Sequence, residues 1–436
     1  MQLIEPRVLK GFRDFLPFQE LTRRSMIEKI EKSFRSFGFV PIDTPALEYT
    51  EILLGKGGGE TEKQIYRFTD QGGRDVALRF DLTIPFARFT AEHRSGLPLP
   101  FKRYHIAKVW RGENTQRGRY REFTQCDFDI VGSDSAAADF EILLIMYNTL
   151  GILCNNSSEK NSQNISIRIN HRGLFNRFLA SFGLKEKSEE ILRQVDKLAK
   201  IGRNGVQEQL EQITGAAQSQ KILDFISLGQ NGDFDTVLEK LIEAAGEGND
   251  TERLRELWNY MKDAGVAEGF ILDPSITRGL DYYTGIVFET FLNKLPAIGS
   301  VCSGGRYDNL TGLYSKEPVP GVGSSIGLDR LQAALEELGY KNELCSYADA
   351  AIVCQDAEDT GKAQKVAESF RKQGLSCEVF FESKKITQQF MLAEKKGIPW
   401  VVIPDYKTEH YKLRNIVTRE DRENIDIGEA VSLIKR

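Results

Sequence analysis

Between Phe101 and Gly132 the chain reads FKRYHIAKVWRGENTQRGRYREFTQCDFDIVG. Its first third, RYHIAKVW, mixes β-branched and aromatic residues in the manner of a strand. GENTQRG is polar and punctuated by glycine, which makes it a loop. REFTQCDFDIVG resumes as a strand whose alternation sets Phe123, Gln125, Asp127 and Asp129 on one face. The unit is an antiparallel hairpin with an extended tip. Lys102, Arg103, Lys108, Arg111, Arg117, Arg119 and Arg121 crowd onto it, against Glu113 and Glu122. Guanidinium forks at this density suit phosphate, which they bind bidentately while staying charged at any working pH. Charge alone equally permits an exposed hairpin with scattered ion pairs. Gln125 and Asp129, polar residues among aromatics, favour a site.

The flanking segments extend the pattern. From Gln19 to Phe37 apolar residues recur at Ile27, Ile30, Phe34 and Phe37, the period of an amphipathic helix, which Gly38 stops. FVPIDTPALE is extended, because Pro41 and Pro45 forbid helix. LLGKGGGETEKQ lacks the GK[ST] that opens a helix in phosphate loops, so it reads as a mobile surface loop able to close over a ligand. DVALRFDLTIPFARF alternates into a strand ending at Asp81-Leu82-Thr83 and Pro85. Asp81 and Thr83 there are either a helix-capping pair or a holder for a substrate ammonium. SDSAAADFEILLIMYNTLGIL reads as a capped helix from near Ser135 to Leu150. SIRINHRGLF is a strand, and residues ~185–268 turn helical, with breaks at GRNG, GQNGD and GEGND. FILDPSITRGLDYYTGIVFETF returns to strand composition, where Tyr282 and Tyr283 are either sheet packing or site residues. GVGSSIGLDRLQAALEELG is a glycine-rich strand followed by a helix from near Leu328, its glycines letting backbone lie close to a flat base. From about Tyr347 a β-α-β-α-β order predicts a small α/β domain with a mostly parallel sheet.

Bulk properties set limits. At 436 residues two to four domains are expected. No apolar run approaches the ~20 residues that cross a bilayer, and MQLIEPRVLKGFRDF has neither signal-peptide nor transit-peptide character, so a cytoplasmic protein with no membrane partner is expected. Six cysteines without CxxC pairing argue against zinc and against a disulfide framework. With a net charge of −5 the chain is no general nucleic-acid binder, and any RNA contact must come from local basic surface.

The hairpin resembles motif 2 of the class II aminoacyl-tRNA synthetases, and in particular of the histidyl-tRNA synthetase family. Helix, strand and proline over residues 19–45 resemble motif 1, which builds the dimer interface in that class. TRGLDYYTGIVFE and VCSGGRYDNL resemble the two signature peptides of the histidine family, and GVGSSIGLDR resembles motif 3. The resemblance spans nearly the whole chain. It implies an α+β class II synthetase catalytic core, an antiparallel sheet flanked by helices, with a helical insertion and a C-terminal α/β anticodon-binding domain. The implied boundaries are 1–184 and 269–340 for the two parts of the core, 185–268 for the insertion and 345–436 for the last domain.

The implied reaction is ATP-dependent activation of L-histidine to histidyl-adenylate, then transfer of the histidyl group to the 3′ end of tRNA(His) by a homodimer. Arg111, Arg278 and Arg330 match catalytic arginines of the family. Asp81 and Thr83 match the holder of the α-amino group, and Gln125 reaches the main-chain groups of the amino acid. Asp129 and Tyr283, with Tyr282 beside it, match the partners of the imidazole nitrogens, while Arg111 and Arg278 meet the histidine carboxylate and α-phosphate. Glu113, Arg119, Phe123, Arg111 and Arg330 match the ATP site, and Gln116 and Arg117 the contact with the tRNA acceptor end. Magnesium would accompany ATP, with no metal held by protein alone, no zinc and no organic prosthetic group. Trp110, Gly112, Asp81 and Asp129 depart from the commonest bacterial pattern, and the shorter carboxylates resemble the eukaryote-like branch. The rival within the same core is the histidine-sensing regulatory subunit of ATP phosphoribosyltransferase, which generally loses catalytic arginines and the anticodon domain. A nucleotide-binding scaffold without chemistry is the third reading.

Overall fold

The structure is a computed structural model that describes residues 3–55, 61–154, 164–230, 232–277, 282–340, 345–354, 356–382 and 384–435. It divides into two compact units, residues 1–14 with 26–340, and residues 15–25 with 341–436. The Gly-rich segment at 56–60 and Arg278 lie outside the described residues.

Helix α1 (Pro17–Ser36) contributes residues 26–36 to the first unit, which continues in chain order with β1 (Val40–Pro41), β2 (Leu47–Tyr49), α2 (Thr50–Leu54), β3 (Arg67–Thr69), β4 (Asp75–Leu78), α3 (Thr83–His93), β5 (Phe101–Trp110) and β6 (Glu122–Val131). There follow α4 (Ala136–Cys154), β7 (Ile165–His171), α5 (Arg172–Ala180), α6 (Ser188–Val195), α7 (Leu198–Thr214), α8 (Ala216–Ser227), α9 (Phe234–Ala245) and α10 (Asn249–Asp263). The unit closes with β8 (Phe270–Leu272), β9 (Ile286–Leu292), β10 (Cys302–Arg306), β11 (Gly321–Gly327) and α11 (Leu328–Glu337). Eight strands form one sheet in the order β1-β5-β6-β11-β10-β9-β7-β8. Its six inner strands are antiparallel, and only the edge pairs β1–β5 and β7–β8 run parallel. A small sheet, β2-β4-β3, stands beside it.

One apolar core runs from α1 through the sheet into the helical segment. Ile30, Phe34, Phe128, Ile142, Met146, Ile167, Leu192, Leu223, Leu238 and Leu257 all belong to it. The helices between Ser188 and Asp263 therefore share their buried face with the eight-stranded sheet, and α10 packs directly on α4. Helix α4 corrects the expectation that no segment approaches membrane-spanning length. Its 19 residues have a mean hydropathy of 1.5, yet 67% of its apolar window is buried inside the protein, so it is a core helix. Asp139 within it is fully buried and ion-paired to Arg306 and Arg253, each at 2.6 Å.

Two expectations for local structure change. The segment Asp75–Phe89 is strand only over Asp75–Leu78, and helix α3 begins at Thr83. The Asp81 carboxylate accepts the Ile84 amide at 3.1 Å, and Pro85 falls in the first turn, where a missing N–H costs nothing. The second unit contains β12 (Ala350–Val353), α12 (Thr360–Lys372), β13 (Cys377–Phe380), α13 (Ile386–Lys396), β14 (Trp400–Asp405), β15 (His410–Asn415), β16 (Asp421–Ile425) and α14 (Ile427–Ile434). Its sheet runs β13-β12-β14-β15-β16 and is mixed rather than mostly parallel. The helices cross between β12, β13 and β14, which pair in parallel. Turns of four or five residues join β14, β15 and β16, and connections so short allow only antiparallel pairing.

Candidate active site

Strands β5 and β6 pair in register from Phe101↔Val131 to Trp110↔Glu122, so the hairpin expected from sequence closes through the loop 111–121. The other edge of β6 pairs with β11, placing Gly323 opposite Asp129, Ser325 opposite Asp127 and Gly327 opposite Gln125. Glycine at 323 is a steric requirement. A Cβ there would lie 1.9 Å from Asp129 Oδ1 and 2.4 Å from its Cγ. A Cβ on Gly321 would likewise meet the Tyr307 ring at 2.5 Å. These two glycines make room for pocket side chains.

At this place three buried carboxylates face two guanidiniums. Arg103, wholly buried, lies 2.7 Å from Asp129 Oδ2 and stacks on Phe86, its guanidinium carbon 4.1 Å from the ring centre. Tyr307 donates to Asp129 Oδ1 at 2.5 Å. Burial raises Asp129 to about 7 despite the opposing pull of Arg103. Asp127 is also raised by burial, and Gln125 Nε2 donates to it at 3.1 Å and reaches Ser325 Oγ at 2.7 Å. Asp81 is raised to about 6 by burial, with Arg111 and Arg103 opposing. One Asp81 oxygen caps α3, while the other is buried without a hydrogen-bond partner among the described residues. Asp81 is thus a cap that keeps one acceptor unused by the described residues. The Tyr282 phenol lies beside the Thr83 hydroxyl, and its ring centre is 4.7 Å from that of Tyr283. The result is a small polar pocket with an excess of acceptors, suited to a cationic amine and to N–H donors.

Arg111 stands between this pocket and a basic cluster. Its Nε donates to the Phe80 carbonyl at 2.9 Å, its Nη2 to Gln125 Oε1 at 3.3 Å, and it sits 5.1 Å over the Phe123 ring. Arg119 pairs with Glu113 at 3.2 Å. Arg330, in the first turn of α11, donates to the Ser300 carbonyl at 2.7 Å, and a Cβ on Gly118 in the hairpin loop would lie 3.3 Å from its backbone. Burial, with Arg119 adjacent, lowers Arg330 to about 10, so it stays charged at neutral pH. Three guanidiniums, with Glu113 and Glu289 in electrostatic reach of Arg330, form a seat for a polyanion, and the Phe123 face offers a planar stacking surface.

A family model described as histidyl-tRNA synthetase matches residues 11–331, and one described as an anticodon binding domain matches residues 349–436. The chain belongs to the histidyl-tRNA synthetase family. It is 55% identical to the histidine–tRNA ligase of Treponema denticola over 92% of this chain and 90% of that protein. The corresponding ligase of Treponema pallidum is 49% identical over 96% and 95%. The crystal structure of histidyl-tRNA synthetase from Nostoc sp. PCC 7120 superposes with a TM-score of 0.86 at 32% identity, covering all of both chains. The class II core and the C-terminal domain expected from sequence are therefore the fold of this protein.

Within that family framework the expected residues fall in two connected groups. Asp81, Thr83, Gln125, Asp129, Tyr282 and Tyr283 line or border the polar pocket, and Arg111, Glu113, Arg119, Phe123 and Arg330 form the basic end. Gln116 and Arg117 lie at the exposed tip, where Arg117 pairs with Glu337 at 3.0 Å. The reading of the hairpin charges as one phosphate surface is corrected. Lys102 is tied to Glu141, Lys108 to Glu122 and Arg103 to Asp129. Arg103 cannot meet phosphate, because it is the internal counter-ion of the carboxylate pocket. Arg103 and Tyr307 are the site residues missed. A signal for Arg103 existed, since closing the hairpin at 111–121 pairs it directly with Asp129.

Proposed function

We propose that the polar pocket holds L-histidine, that the basic end holds ATP, and that the chain makes histidyl-adenylate before charging tRNA(His). A histidine carboxylate oxygen attacks the α-phosphorus, the bond to the β-phosphate oxygen breaks, and pyrophosphate leaves with the electron pair. The adenylate then passes its histidyl group to the 3′-terminal ribose of the tRNA, releasing AMP. No covalent bond to the protein is needed, so catalysis is positioning plus stabilisation of charge on phosphoryl oxygens.

One observation carries this reading. Arg111 touches both groups of residues, through Gln125 on one side and Phe123 on the other. In this reading it meets the carboxylate and the α-phosphate together. Arg119 and Arg330 take the outer phosphates, Glu113 and Phe123 the adenine, and Arg278 joins Arg111 at the α-phosphate. The free oxygen of Asp81, with Thr83, takes the α-ammonium, and Gln125 the main-chain groups. Asp129 accepts from one ring nitrogen, keeping lone pairs beyond those used by Arg103 and Tyr307, and Tyr283, beside Tyr282, reaches the other. Magnesium arrives with ATP, held by phosphate oxygens and water. A pocket of this polarity rejects analogues lacking an N–H by roughly 10⁴–10⁵, so an editing domain has no task here.

For the remaining parts, residues 1–184 and 269–340 form the catalytic core around the 185–268 insertion, and residues 345–436 read the anticodon. Gln116 and Arg117 meet the acceptor end. The protein works in the cytoplasm as a homodimer. ATP–pyrophosphate exchange with each of the twenty amino acids tests the core of this reading. Exchange with histidine alone is the expected result. Histidine binding with no exchange would instead favour a regulatory, histidine-sensing relative.

A further inference from the structure

The N-terminal segment KGFRD has no part in the chemistry above, yet it is tied to the nucleotide end of the site at several points. Leu9 to Phe12 form a turn closed by the Phe12 amide on the Leu9 carbonyl at 3.0 Å, with Gly11 at φ +89°. The Gly11 carbonyl accepts the Arg121 amide at 2.8 Å, at the last residue of the hairpin loop. A side chain at Gly11 has no room: its Cβ would lie 2.7 Å from Arg121 Cγ and 2.8 Å from Thr115 Cγ2. The turn thus sits between the two limbs of the loop. Arg13 continues the tie. Its Nη1 donates to the Tyr120 hydroxyl at 3.0 Å, and its guanidinium lies 4.0 Å over that ring. Its Nη2 pairs with Asp329 Oδ1 at 2.8 Å. Asp329 is buried in the first turn of α11, next to Arg330, and its other oxygen accepts the Thr124 amide at 2.7 Å.

We propose that Gly11 and Arg13 are positioning residues that fix the 111–121 loop and the start of α11 against each other around ATP. The inference rests on the basic end being the nucleotide seat. Glu113, Arg119 and Arg330 touch ATP on two separate elements, the loop and the helix, and the Tyr120–Arg13–Asp329 chain spans them at the base of the loop, as the Arg117–Glu337 pair does at its tip. None of these ties reaches Asp81, Asp129 or Tyr283, so nucleotide and amino acid should respond differently when the tie is cut.

The test is pyrophosphate exchange by the full-length protein carrying Arg13→Ala, Arg13→Lys or Gly11→Ala, with melting temperatures measured alongside. The expected result is a rise in KM for ATP of about 10- to 100-fold in Arg13→Ala and Gly11→Ala, the scale of a sub-ångström to ångström misplacement. KM for histidine at saturating ATP should stay within about twofold. Arg13→Lys should recover part of the loss, because it keeps the charge at Asp329 but not the fork that also reaches Tyr120. Equal rises in both KM values, an unchanged KM for ATP, or losses that simply follow the melting temperature would each overturn the proposal. A wild-type protein that exchanges with no amino acid would refute the adenylation reading itself, which is a separate outcome.

Discussion

Replacing Arg103 by methionine keeps most of its volume and removes the only cation in ion-pair contact with Asp129 among the described residues. Both side chains are within 3% of full burial, so water cannot take over the lost charge. Breaking a buried pair by deleting one partner costs about 3–5 kcal/mol when the survivor stays ionised. Asp129 has a cheaper course, which is to keep its proton. In the native protein its value of about 7 already reflects burial raising it and Arg103 lowering it. Without Arg103 that value rises further. A carboxyl whose folded pKa exceeds its unfolded value loses folding stability as pH climbs between the two. The native protein stops losing stability from Asp129 near pH 7, whereas the variant continues. The gap between them should therefore be small at pH 6 and widen by about 1.4 kcal/mol for each unit above 7. Urea denaturation followed by circular dichroism at pH 6 and pH 8 reads it directly. A gap that is equal at the two pH values, or below about 1 kcal/mol at pH 8, would refute the ion-pair account. Adding Asp129→Leu to Arg103→Met should recover most of the stability at pH 8 while leaving histidine-dependent exchange abolished.

Three further outcomes follow from the same geometry. Gly323→Ala puts a methyl 1.9 Å from Asp129 Oδ1. It should raise KM for histidine by about 100-fold through displacement of that carboxylate while destabilising by about 1–3 kcal/mol; retention of native histidine KM would show that Asp129 is not the imidazole partner. Arg330→Ala should lower kcat by about 10²–10³, the loss of one charge-stabilising donor, with histidine binding by calorimetry unchanged. Asp81, held at about 6 by burial, must be ionised to take an ammonium, so the melting-temperature rise given by saturating histidine should be larger at pH 7.5 than at pH 5. Asp81→Asn should flatten that difference, and a pH-independent shift in the native protein would remove Asp81 from the ammonium site.

The hairpin was legible in the sequence because a period of two is unambiguous once a polar, glycine-marked loop separates two such runs. That periodicity put Gln125 and Asp129 on one face before any contact was known. It misled at Asp75–Phe89, where strand alternation passes into a helix within a few residues and the change is marked only by Asp81, Thr83 and Pro85. Those residues read as a strand end with equal ease. Charge counting misled at Arg103 for a different reason. A guanidinium in a list of seven carries no mark of burial, and only the strand register, Arg103 opposite Asp129, reveals that this one faces inward. Tyr307 and Gly323 were legible only as members of family peptides, because their importance lies in touching Asp129 from segments distant in sequence. The tie between Arg13 and Asp329 spans 316 positions and has no local signal at all.

In the proposed assignment the division of charge also sorts the two substrates. The basic end carries Arg119 and Arg330 against Glu113, and the acidic end carries Asp81, Asp127 and Asp129 against Arg103, with Arg111 between them. A polyphosphate placed in the acidic pocket would set like charges within contact distance. At an effective dielectric of about 20, one such pair at 4 Å costs about 4 kcal/mol, close to three orders of magnitude in affinity. An amino acid in the basic end fares no better, because its ammonium would face Arg119 and Arg330. On that assignment each substrate is excluded from the other's seat, and the two meet at Arg111, joined by Arg278, where both present an anionic group. That meeting point is where the carboxylate and the α-phosphate must approach despite their mutual repulsion. A guanidinium that donates to both lowers that barrier without moving, so the arrangement which sorts the substrates also brings their reacting atoms together.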